Sequence, residues 1–378
     1  MTTHLATDEV DRLAMAMATS GLGRTWFSQA AVAAGLLLLT ASVSAAPPLC
    51  QPSEIRLVNS MREIAQPYHA DLDKGGRLFA KWAGLEKQYV LQLNQGDSDK
   101  QLTLMRALSS TNARCTVFNV EPNADLVVRP MVETANRTGT WIVTHWAHPA
   151  GFRPFDGNDQ WIAHVAVNSL DAGVAISRRL VDAIGGKGAI VALQGRLDTD
   201  PAQKRFAGLM QVLKDKPGVQ LLDRQSANWD RTTAFPIMRT WLAKYGNRIS
   251  AVWAANDDMA LGAIEALRAA GLAGKVPVVG VDGIPEAIDA IEKGEMTATV
   301  SSDAYYQGSI GLAMGVCVLT GKVPLPKTWP NEQRDFYLRL REISKDTVKL
   351  YKGEPSVSAY AEDWDCANLW KRSTGKAY

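Results

Sequence analysis

Short apolar segments alternate with helical patterns from residue 55 to residue 301, and no other feature of the sequence constrains the fold as strongly. Between the apolar segments, apolar residues recur three and four positions apart, as on one face of an α-helix. Strands and helices that alternate at this pace predict an α/β fold with parallel sheets and right-handed crossovers. The predicted strands are 55–59, 88–93, 115–120, 141–145, 189–193, 219–223, 251–255, 276–281 and 297–301. The predicted helices are 99–108, 126–136, 169–184, 201–214, 232–244, 259–270 and 285–293.

Length and composition limit the class of protein. At roughly 100 to 200 residues per domain, a chain of 378 residues predicts two domains, or three at most. Hydrophobic residues make up 46% of the chain, which excludes a disordered protein because two cores can be built. The formal net charge of +2 excludes the strongly basic surface that nucleic acid or an anionic membrane would attract. We therefore expect a globular protein with no nucleic-acid partner.

The first 45 residues have the pattern of a secretory signal peptide. After an acidic start, Arg24 precedes the apolar run 30–39, and small residues follow up to Ala45. This run is too short for a membrane-spanning helix, which needs about 20 apolar residues. Met15 and Met17 are alternative start sites, either of which would leave a basic lead without the acidic residues. We expect a soluble protein that is exported to the periplasm and cleaved near Ala45.

Export to an oxidising compartment permits disulfide bonds between the four cysteines. Cys50 lies just before the first predicted strand, and Cys115 opens a later strand of the same half. If those strands are parallel neighbours, their starts lie close together and a Cys50–Cys115 bond can form. Cys317 in an apolar helix and Cys366 near the C-terminus would then be the second pair. Four cysteines allow three pairings, and the other two stay open at this point.

Candidate ligand-binding residues follow the predicted strands, because open α/β sheets bind ligands beyond the carboxyl ends of their strands. These positions are rich in planar hydrogen-bonding groups and in aromatic rings. A sugar ring needs both, since its hydroxyls require paired donors and acceptors while its C–H faces stack on aromatic rings. The residues at these strand ends are Asn59, Ser60, Trp146, the segment 196–205, Trp229, Asn256, Asp282, Ser302 and Asp303.

Several of these segments together resemble the sugar-binding members of the type I periplasmic binding proteins, the ribose-receptor group of ABC transporters. The most specific are Ala-Asn-Asp-Asp-Met-Ala-Leu-Gly-Ala at 255–263 and Val-Val-Gly-Val-Asp-Gly-Ile-Pro at 278–285. Further matches are Leu-Gln-Gly at 193–195 with Arg205 and Gly208, Asn-Trp-Asp-Arg at 228–231, and Pro-Tyr-His at 67–69 with Gly75. The resemblance runs from about residue 55 to about residue 348.

The resemblance implies two Rossmann-like lobes with parallel sheets, joined by a three-crossing hinge, with one ligand held in the cleft between them. It places the N-terminal lobe at 46–167 plus 303–330 and the C-terminal lobe at 168–302 plus 331–350. Residues 1–45 would be the signal peptide, and residues 351–378 a C-terminal extension with no assigned role.

Residue roles are also implied by the resemblance. It assigns hydroxyl binding to Arg205, Asn256 and Asp282, ring stacking to Tyr68 and Trp229, the second aromatic position to His69, and a polar position to Ser302. Each role has a simpler structural alternative. Asn256 could cap the next helix, Asp282 could be a turn residue, Arg205 could lie on a solvated helix face, and Trp229 could belong to the core.

Two positions depart from the family pattern, and one of them is Val281, where the family has an aromatic residue beside the binding aspartate. Trp146 stands where the family's ribose and galactose receptors often carry polar residues after the fourth strand, and an apparent insertion, 147–160, follows it. Trp146 is therefore a candidate cleft residue, with a role in the core as the alternative. Arg153 or Asp156 in the insertion could replace the missing polar contacts.

Catalytic signatures are missing from the sequence. It contains no Gly-x-Ser-x-Gly elbow, no phosphate loop with Gly-Lys-Ser/Thr and no His-Glu-x-x-His motif. The spacing of His145 and His148 is too weak a pattern for a metal site, since no cysteine or carboxylate partners complete it. We expect no enzymatic activity, no cofactor and no metal.

Three classes of function are compatible with these patterns. The first is a monomeric exported receptor that binds a sugar or polyol and delivers it to the membrane permease of an ABC transporter. A receptor that feeds a chemoreceptor or sensor kinase would have the same sequence features. An exported hydrolase lacks a nucleophile or metal site, and a repressor of the lactose type would need a helix-turn-helix motif where this chain has an export signal.

Overall fold

The computed structural model describes residues 49–353 and 355–377 as an α/β protein. The predicted signal peptide, residues 1–45, lies outside the described residues. The strands are β1 Arg56–Met61, β2 Tyr89–Leu93, β3 Thr116–Val120, β4 Trp141–His145, β5 Trp161–Val167, β6 Gly188–Gln194, β7 Val219–Ser226, β8 Ala251–Ala254, β9 Val278–Val279, β10 Ala298–Ser301, β11 Asp335–Leu338, β12 Arg341–Ser344 and β13 Ser373–Ala377. The helices are α1 Pro67–Trp82, α2 Ser98–Ser109, α3 Asp125–Thr138, α4 Ser169–Ala183, α5 Asp200–Lys214, α6 Arg231–Tyr245, α7 Asp257–Ala269, α8 Pro285–Glu292, α9 Ala304–Leu319, α10 Asn331–Arg334 and α11 Val357–Tyr360.

The strands form two separate, mainly parallel sheets. The seven-stranded sheet has the order β13-β11-β5-β4-β3-β1-β2, and the six-stranded sheet has the order β12-β10-β9-β8-β6-β7. Antiparallel pairs occur where β13 joins β11 and where β12 joins β10. Two parallel sheets flanked by helices confirm the predicted fold class.

Both faces of the central strands are buried, which explains why these strands are almost continuously apolar. All residues of β3, β4 and β5 are buried. In the seven-stranded sheet, Val58 of β1 lies opposite Val90 of β2 and Phe118 of β3. β5 was not predicted, since no strand was expected between residues 145 and 189.

Helices α1 and α9 pack closely on one side of the seven-stranded sheet because glycines lie at their contact. A Cβ atom on Gly75 would lie 2.1 Å from the carbonyl oxygen of Tyr305, and one on Gly308 would lie 1.9 Å from that of Leu72. Neither position accepts a larger residue without moving a helix. This packing fixes the start of α1, where Tyr68 and His69 lie, against the segment that enters α9.

The seven-stranded sheet and its helices form the N-terminal lobe, and the six-stranded sheet forms the C-terminal lobe. The chain crosses between them after β5, at Asn168, and after β10, at Ser302 and Asp303. The third crossing is at Arg339 and Leu340, because β11 belongs to the N-terminal sheet and β12 to the C-terminal sheet. The predicted boundary at residue 330 is therefore wrong. Segment 331–338 remains in the N-terminal lobe because β11 pairs with β5.

The C-terminal extension returns to the N-terminal lobe and crosses the hinge a fourth time. Its last strand, β13, lies at the edge of the N-terminal sheet beside β11. Cys366 is bonded to Cys317 of α9, and Cys50 is bonded to Cys115, so the predicted disulfide pairing is confirmed. Within the described residues, no helix is both long and apolar enough to cross a membrane.

Candidate ligand-binding site

A cleft lies between the carboxyl ends of the two sheets and contains about 560 Å³ of space free of atoms, part of it open to solvent. The structure brings together in this cleft seven of the eight predicted ligand-binding residues: Tyr68, His69, Trp146, Arg205, Trp229, Asn256 and Asp282. The other residues that line it are Arg62, Gln66, Glu121, Pro122, Asn123, Ala147, Thr199 and Pro201.

The N-terminal wall of the cleft is built around two aromatic residues. Tyr68 lies in the first turn of α1, after Pro67, which favours a helix start. Its hydroxyl accepts a hydrogen bond from Trp146 Nε1 at 2.6 Å and donates one to Gln307 Oε1 at 3.3 Å. The two rings pack edge to face with centroids 6.4 Å apart. Trp146 thus combines a core position with a position on the cleft wall.

Glu121 adds a carboxylate to the same wall, directly after β3. Its Oε2 atom lies 2.9 Å from His69 Nε2. Burial would raise the pKa of Glu121, but the charge and hydrogen bond of His69 and the charge of Arg62 hold that pKa below its usual value. Glu121 is therefore an ionised acceptor in the cleft. Nδ1 of His69 is buried without a hydrogen-bond partner among the described residues.

Arg205 of α5 is the centre of the C-terminal wall and is only 3% exposed. Its Nη1 donates to the carbonyl oxygen of Ala255 at 2.7 Å. The guanidinium carbon lies 4.8 Å from the ring centre of Trp146 and 5.4 Å from that of Trp229, within the range of cation–π contacts. Among the described residues, no hydrogen-bond partner is present for its buried Nε. Arg205 therefore faces the cleft between two indole rings and does not lie on a solvated helix surface.

Asp282 is held in the cleft by a strained turn. Its φ angle is +130°, which is unusual for a residue with a side chain. Asp257 supports this turn, because its Oδ2 accepts hydrogen bonds from the amides of Gly283 at 2.7 Å and Ile284 at 3.1 Å. Thr299 donates its hydroxyl to Asp257 Oδ1 at 2.6 Å. Asp257 is thus a buried support for the position of Asp282.

Asn256 caps α7 and faces the cleft at the same time. Its Oδ1 accepts a hydrogen bond from the amide of Met259 at 3.0 Å, and its Nδ2 donates to the carbonyl oxygen of Trp229 at 3.3 Å. A primary amide has two donors and two acceptor lone pairs, so one of each is left for a ligand. The helix-capping role that the sequence allowed is real, and it is compatible with a ligand contact.

Three of the cleft residues have left-handed or otherwise unusual backbone conformations: φ is +62° at Trp146, +69° at Trp229 and +130° at Asp282. Such conformations cost on the order of 1–3 kcal/mol each and concentrate at functional sites. Gly195 makes room for one of these residues, because a Cβ atom there would lie 2.2 Å from the Trp229 ring.

The two lobes contact each other beside the cleft. Gln66 Nε2 of the N-terminal lobe donates to the carbonyl oxygen of Trp229 at 3.4 Å. The carboxylate of Asp125 accepts a hydrogen bond from the amide of Asp200, at the start of α5, at 3.1 Å. These bonds join the two walls, so the structure shows the lobes closed on each other.

Ser302 was predicted to bind the ligand, but the structure does not place it in the cleft lining. It lies on the hinge, where its hydroxyl donates to the carbonyl oxygen of Asp282 at 3.4 Å, and it is not among the residues that line the cleft. The Ser302 hydroxyl therefore supports the Asp282 turn, and a ligand contact of Ser302 stays a prediction.

Arg153 and Asp156 of the insertion do not line the cleft either, and of its residues only Ala147 does. Arg153 Nη1 lies 3.2 Å from Asp335 Oδ2, and Asp156 accepts a hydrogen bond from the amide of Arg153. Both ring nitrogens of His145 have partners inside the N-terminal lobe, Val165 O and Asn119 Oδ1. Within the part of the chain that is described, no three His, Cys, Asp or Glu side chains are grouped to hold a metal ion.

Glu121 is the main cleft residue that was not predicted from the sequence. It directly follows predicted strand 115–120, so the rule that ligands bind at strand ends would have found it. Arg62 likewise follows β1. The polar contact expected from Arg153 or Asp156 is instead available from Glu121, which extends from the neighbouring strand.

Two lobes of parallel sheet that close around a polar and aromatic cleft define a solute-binding protein. The profile described as the periplasmic binding protein domain matches residues 58–323. Because this match covers most of the chain, the protein belongs to the periplasmic binding protein family, and the family expected from the sequence is confirmed. This is a family of solute-binding proteins.

Individual relatives match over most of their length. The D-allose-binding periplasmic protein of Escherichia coli strain K12 is 31% identical over 298 residues, which cover 78% of this chain and 91% of that protein. A solved structure of a twin-arginine translocation pathway signal protein from Burkholderia phytofirmans is 38% identical, with a TM-score of 0.79. The match covers 85% of this chain and 98% of that one. A solute-binding protein from Actinobacillus succinogenes with bound D-allose is 24% identical, with a TM-score of 0.70, over 79% of this chain and 100% of that one.

Proposed function

We propose that this protein is an exported receptor that binds a sugar or polyol in the interlobe cleft and delivers it unchanged to an ABC permease. The observation that carries the proposal is the convergence of polar and aromatic side chains from both lobes on one cleft. The relationship to a D-allose-binding periplasmic protein supports the choice of a hydroxyl-bearing ligand.

The chemistry of the cleft fits a neutral ligand with several hydroxyl groups. Glu121 and Asp282 provide carboxylate acceptors on opposite walls, while Arg205 and Arg62 provide donors. Asn256 can donate and accept at once, which suits a hydroxyl that also does both. Trp229 and Tyr68 provide apolar surface for the C–H faces of a ring. An analogue that lacks one hydroxyl would leave a buried polar group unpaired and would bind less tightly.

Binding by lobe closure follows from the position of these groups. A ligand that contacts Glu121 on one lobe and Asp282 on the other interacts more strongly with the closed arrangement than with an open one. It therefore shifts the population toward closure. A permease would then recognise the closed outer surface, and an ATPase elsewhere would power transport. In this mechanism no covalent bond of the ligand is made or broken, and we expect the receptor to act as a monomer.

A thermal-shift screen tests the proposal directly. D-allose, D-ribose, xylitol and myo-inositol, with a wider panel of monosaccharides and polyols, would be added to the purified protein. A ligand at 100 times its Kd stabilises the folded state by about 2.7 kcal/mol, which raises the melting temperature measurably. The Asp282→Ala variant is the matched control and should show a clearly smaller rise at the same ligand concentration. If only amino acids or nucleosides raised the melting temperature, the sugar assignment would be wrong while the receptor assignment would survive.

Export and delivery need separate measurements. N-terminal sequencing of the protein recovered from the periplasm should start close to residue 46, as cleavage near Ala45 requires. A strain that lacks the protein should lose uptake of the radiolabelled ligand. Unchanged uptake with lost chemotaxis or lost gene induction would instead favour a receptor that feeds a chemoreceptor or a sensor kinase.

A further inference from the structure

We propose that the C-terminal strap, residues 355–377, restricts the opening of the two lobes, and that Arg372 is the positioning residue through which it acts. The strap begins where the chain leaves the C-terminal lobe and ends as β13 in the N-terminal sheet. The strap is therefore preceded by a fourth crossing between the lobes. The first three crossings are at Asn168, Ser302–Asp303 and Arg339–Leu340.

Asp303 is the point at which the strap holds the hinge. It lies on the second crossing with a φ angle of +51° and begins α9. Its Oδ2 atom lies 2.6 Å from Arg372 Nη1 of the strap and 3.4 Å from Arg341 Nη1, at the end of the third crossing. Its Oδ1 atom accepts hydrogen bonds from the hydroxyl of Tyr360 at 2.8 Å and from the amide of Tyr306 at 3.2 Å. One carboxylate thus connects two crossings and the strap.

Arg372 is placed by contacts that only a planar guanidinium can make together. Besides Asp303, it binds Asp363 Oδ2 through Nη2 at 2.6 Å and the carbonyl oxygen of Ala359 at 3.1 Å. Its guanidinium carbon lies 4.7 Å from the ring centre of Tyr306 and 4.8 Å from that of Tyr360. A lysine could keep one of the ionic contacts but not the whole set. In addition, the backbone carbonyl of Arg372 accepts a hydrogen bond from the amide of Arg339 on the third crossing, at 3.2 Å.

The strap is anchored firmly to the N-terminal lobe. Its Cys366 is bonded to Cys317 of α9. Trp364 is 1% exposed, lies 5.6 Å from Phe79 and 5.5 Å from Trp82 between ring centres, and donates its Nε1 to Ser309 Oγ at 2.9 Å. Because the strap is anchored in this way, it can hold Asp303 in place. A loosely attached strap would move together with Asp303.

The segment just before the strap contacts the C-terminal lobe. Lys352 forms an ion pair with Glu292 of α8. Lys352 and the strap therefore contact different lobes.

Restriction of the hinge follows from these attachments. Domain opening requires backbone rotation at a few crossing residues. Rotation at Asp303 would break its contacts with Arg372 and Tyr360, so the strap makes open conformations less populated. Apparent affinity for a ligand of the closed state rises with the fraction of molecules already competent to bind. Restriction of lobe motion by the strap does not depend on which ligand the cleft takes.

The test compares Arg372→Met with Arg268→Met in the full chain without ligand. Arg268 pairs with Glu295 at 2.7 Å inside the C-terminal lobe, so its loss removes a similar ionic contact without touching the hinge. We expect Arg372→Met to increase the radius of gyration measured by small-angle X-ray scattering. Hydrogen exchange at the amide of Ser302 should become faster by roughly tenfold. This increase corresponds to a loss of about 1.4 kcal/mol in the free energy of local opening. Arg268→Met should leave both quantities unchanged, and Arg372→Lys should give an intermediate result.

A second pair of variants makes the test independent of Arg372. Replacing Cys317 and Cys366 with serine releases the strap, whereas replacing Cys50 and Cys115 removes a disulfide that does not hold the strap. Only the first change should increase the radius of gyration. If both strap variants lowered the melting temperature but kept the wild-type radius of gyration and the wild-type exchange at Ser302, the strap would be a stabilising cap. The proposal would then be wrong.

Discussion

Arg205 Nη1 lies 3.9 Å from Asp282 Oδ1, and the two side chains are 3% and 9% exposed. Burial lowers the pKa of Arg205, while the charge of Asp282 raises it. Burial raises the pKa of Asp282 well above its ordinary value, and Arg205 opposes that shift. Each group compensates the buried charge of the other. Removal of either residue would therefore leave an uncompensated charge in the cleft.

We expect Arg205→Ala and Asp282→Ala each to weaken binding of the sugar or polyol by at least about tenfold, which is about 1.4 kcal/mol. Each change removes a ligand contact and leaves the other charge buried without its partner. Isothermal titration calorimetry measures the effect. Arg239→Ala, at an exposed position of α6, is the control and should bind like the wild type. Unchanged affinity in both cleft variants would show that the ligand binds elsewhere.

Replacement of Glu121 by glutamine should weaken binding by roughly tenfold, because charged acceptors form stronger hydrogen bonds to hydroxyls than neutral ones do. The amide keeps the shape of the side chain, so its effect on packing is small. Calorimetry on the variant and on Glu133→Gln, an exposed control in α3, makes the comparison. Wild-type affinity for Glu121→Gln would assign Glu121 to the support of His69 alone.

Gly195→Ala should displace the Trp229 ring, since the added Cβ atom would lie 2.2 Å from it. Overpacking of this kind costs about 1–3 kcal/mol. We expect a lower melting temperature and weaker ligand binding. In the Trp229→Ala background, the Gly195→Ala change should lower the free energy of unfolding much less than it does in the wild type. A double-mutant cycle measures this difference. Additive effects on stability would contradict a contact between the two side chains.

Asp257 should make stability depend on pH. Burial raises its pKa to about 6, although hydrogen bonds from Thr299, Ile284 and Gly283 oppose the shift. The folded state therefore keeps a proton that the unfolded state loses near pH 4. The free energy of unfolding should fall by up to about 3 kcal/mol as the pH rises from about 4 to about 6.

The Asp257→Asn variant isolates this contribution, because asparagine can accept from the two amides and donate to Thr299. Urea unfolding at pH 4 and pH 6 should show a smaller fall for the variant than for the wild type. Equal falls would assign the pH dependence to other groups.

Local patterns predicted much of the fold. Apolar periodicity is a local property, so the strands from β1 to β10 were expected near their observed positions, except for β5. The disulfide pairs followed from the positions of Cys50 and Cys115 before strands that proved to be neighbours. Segment 331–338, which contains β11, was placed in the C-terminal lobe, because a four-residue strand has no periodicity that reveals its partner.

The candidate site was partly predictable for the same reason. Asn256 and Asp282 occur in specific segments at strand ends, whereas Glu121 lies in a segment without such a motif. Ser302 shows the limit of the rule: it follows a strand, but the backbone turns it toward the Asp282 carbonyl and away from the cleft.

The sequence by itself determined the family, the alternation of strands and helices, and most of the side chains that meet in the cleft. Those properties depend on residue type and on spacing along the chain. The tertiary structure alone decided that Arg205 lies between two indole rings and that Arg372 reaches Asp303. Such contacts join residues tens of positions apart or more, and their geometry depends on how the lobes pack, which local sequence does not encode.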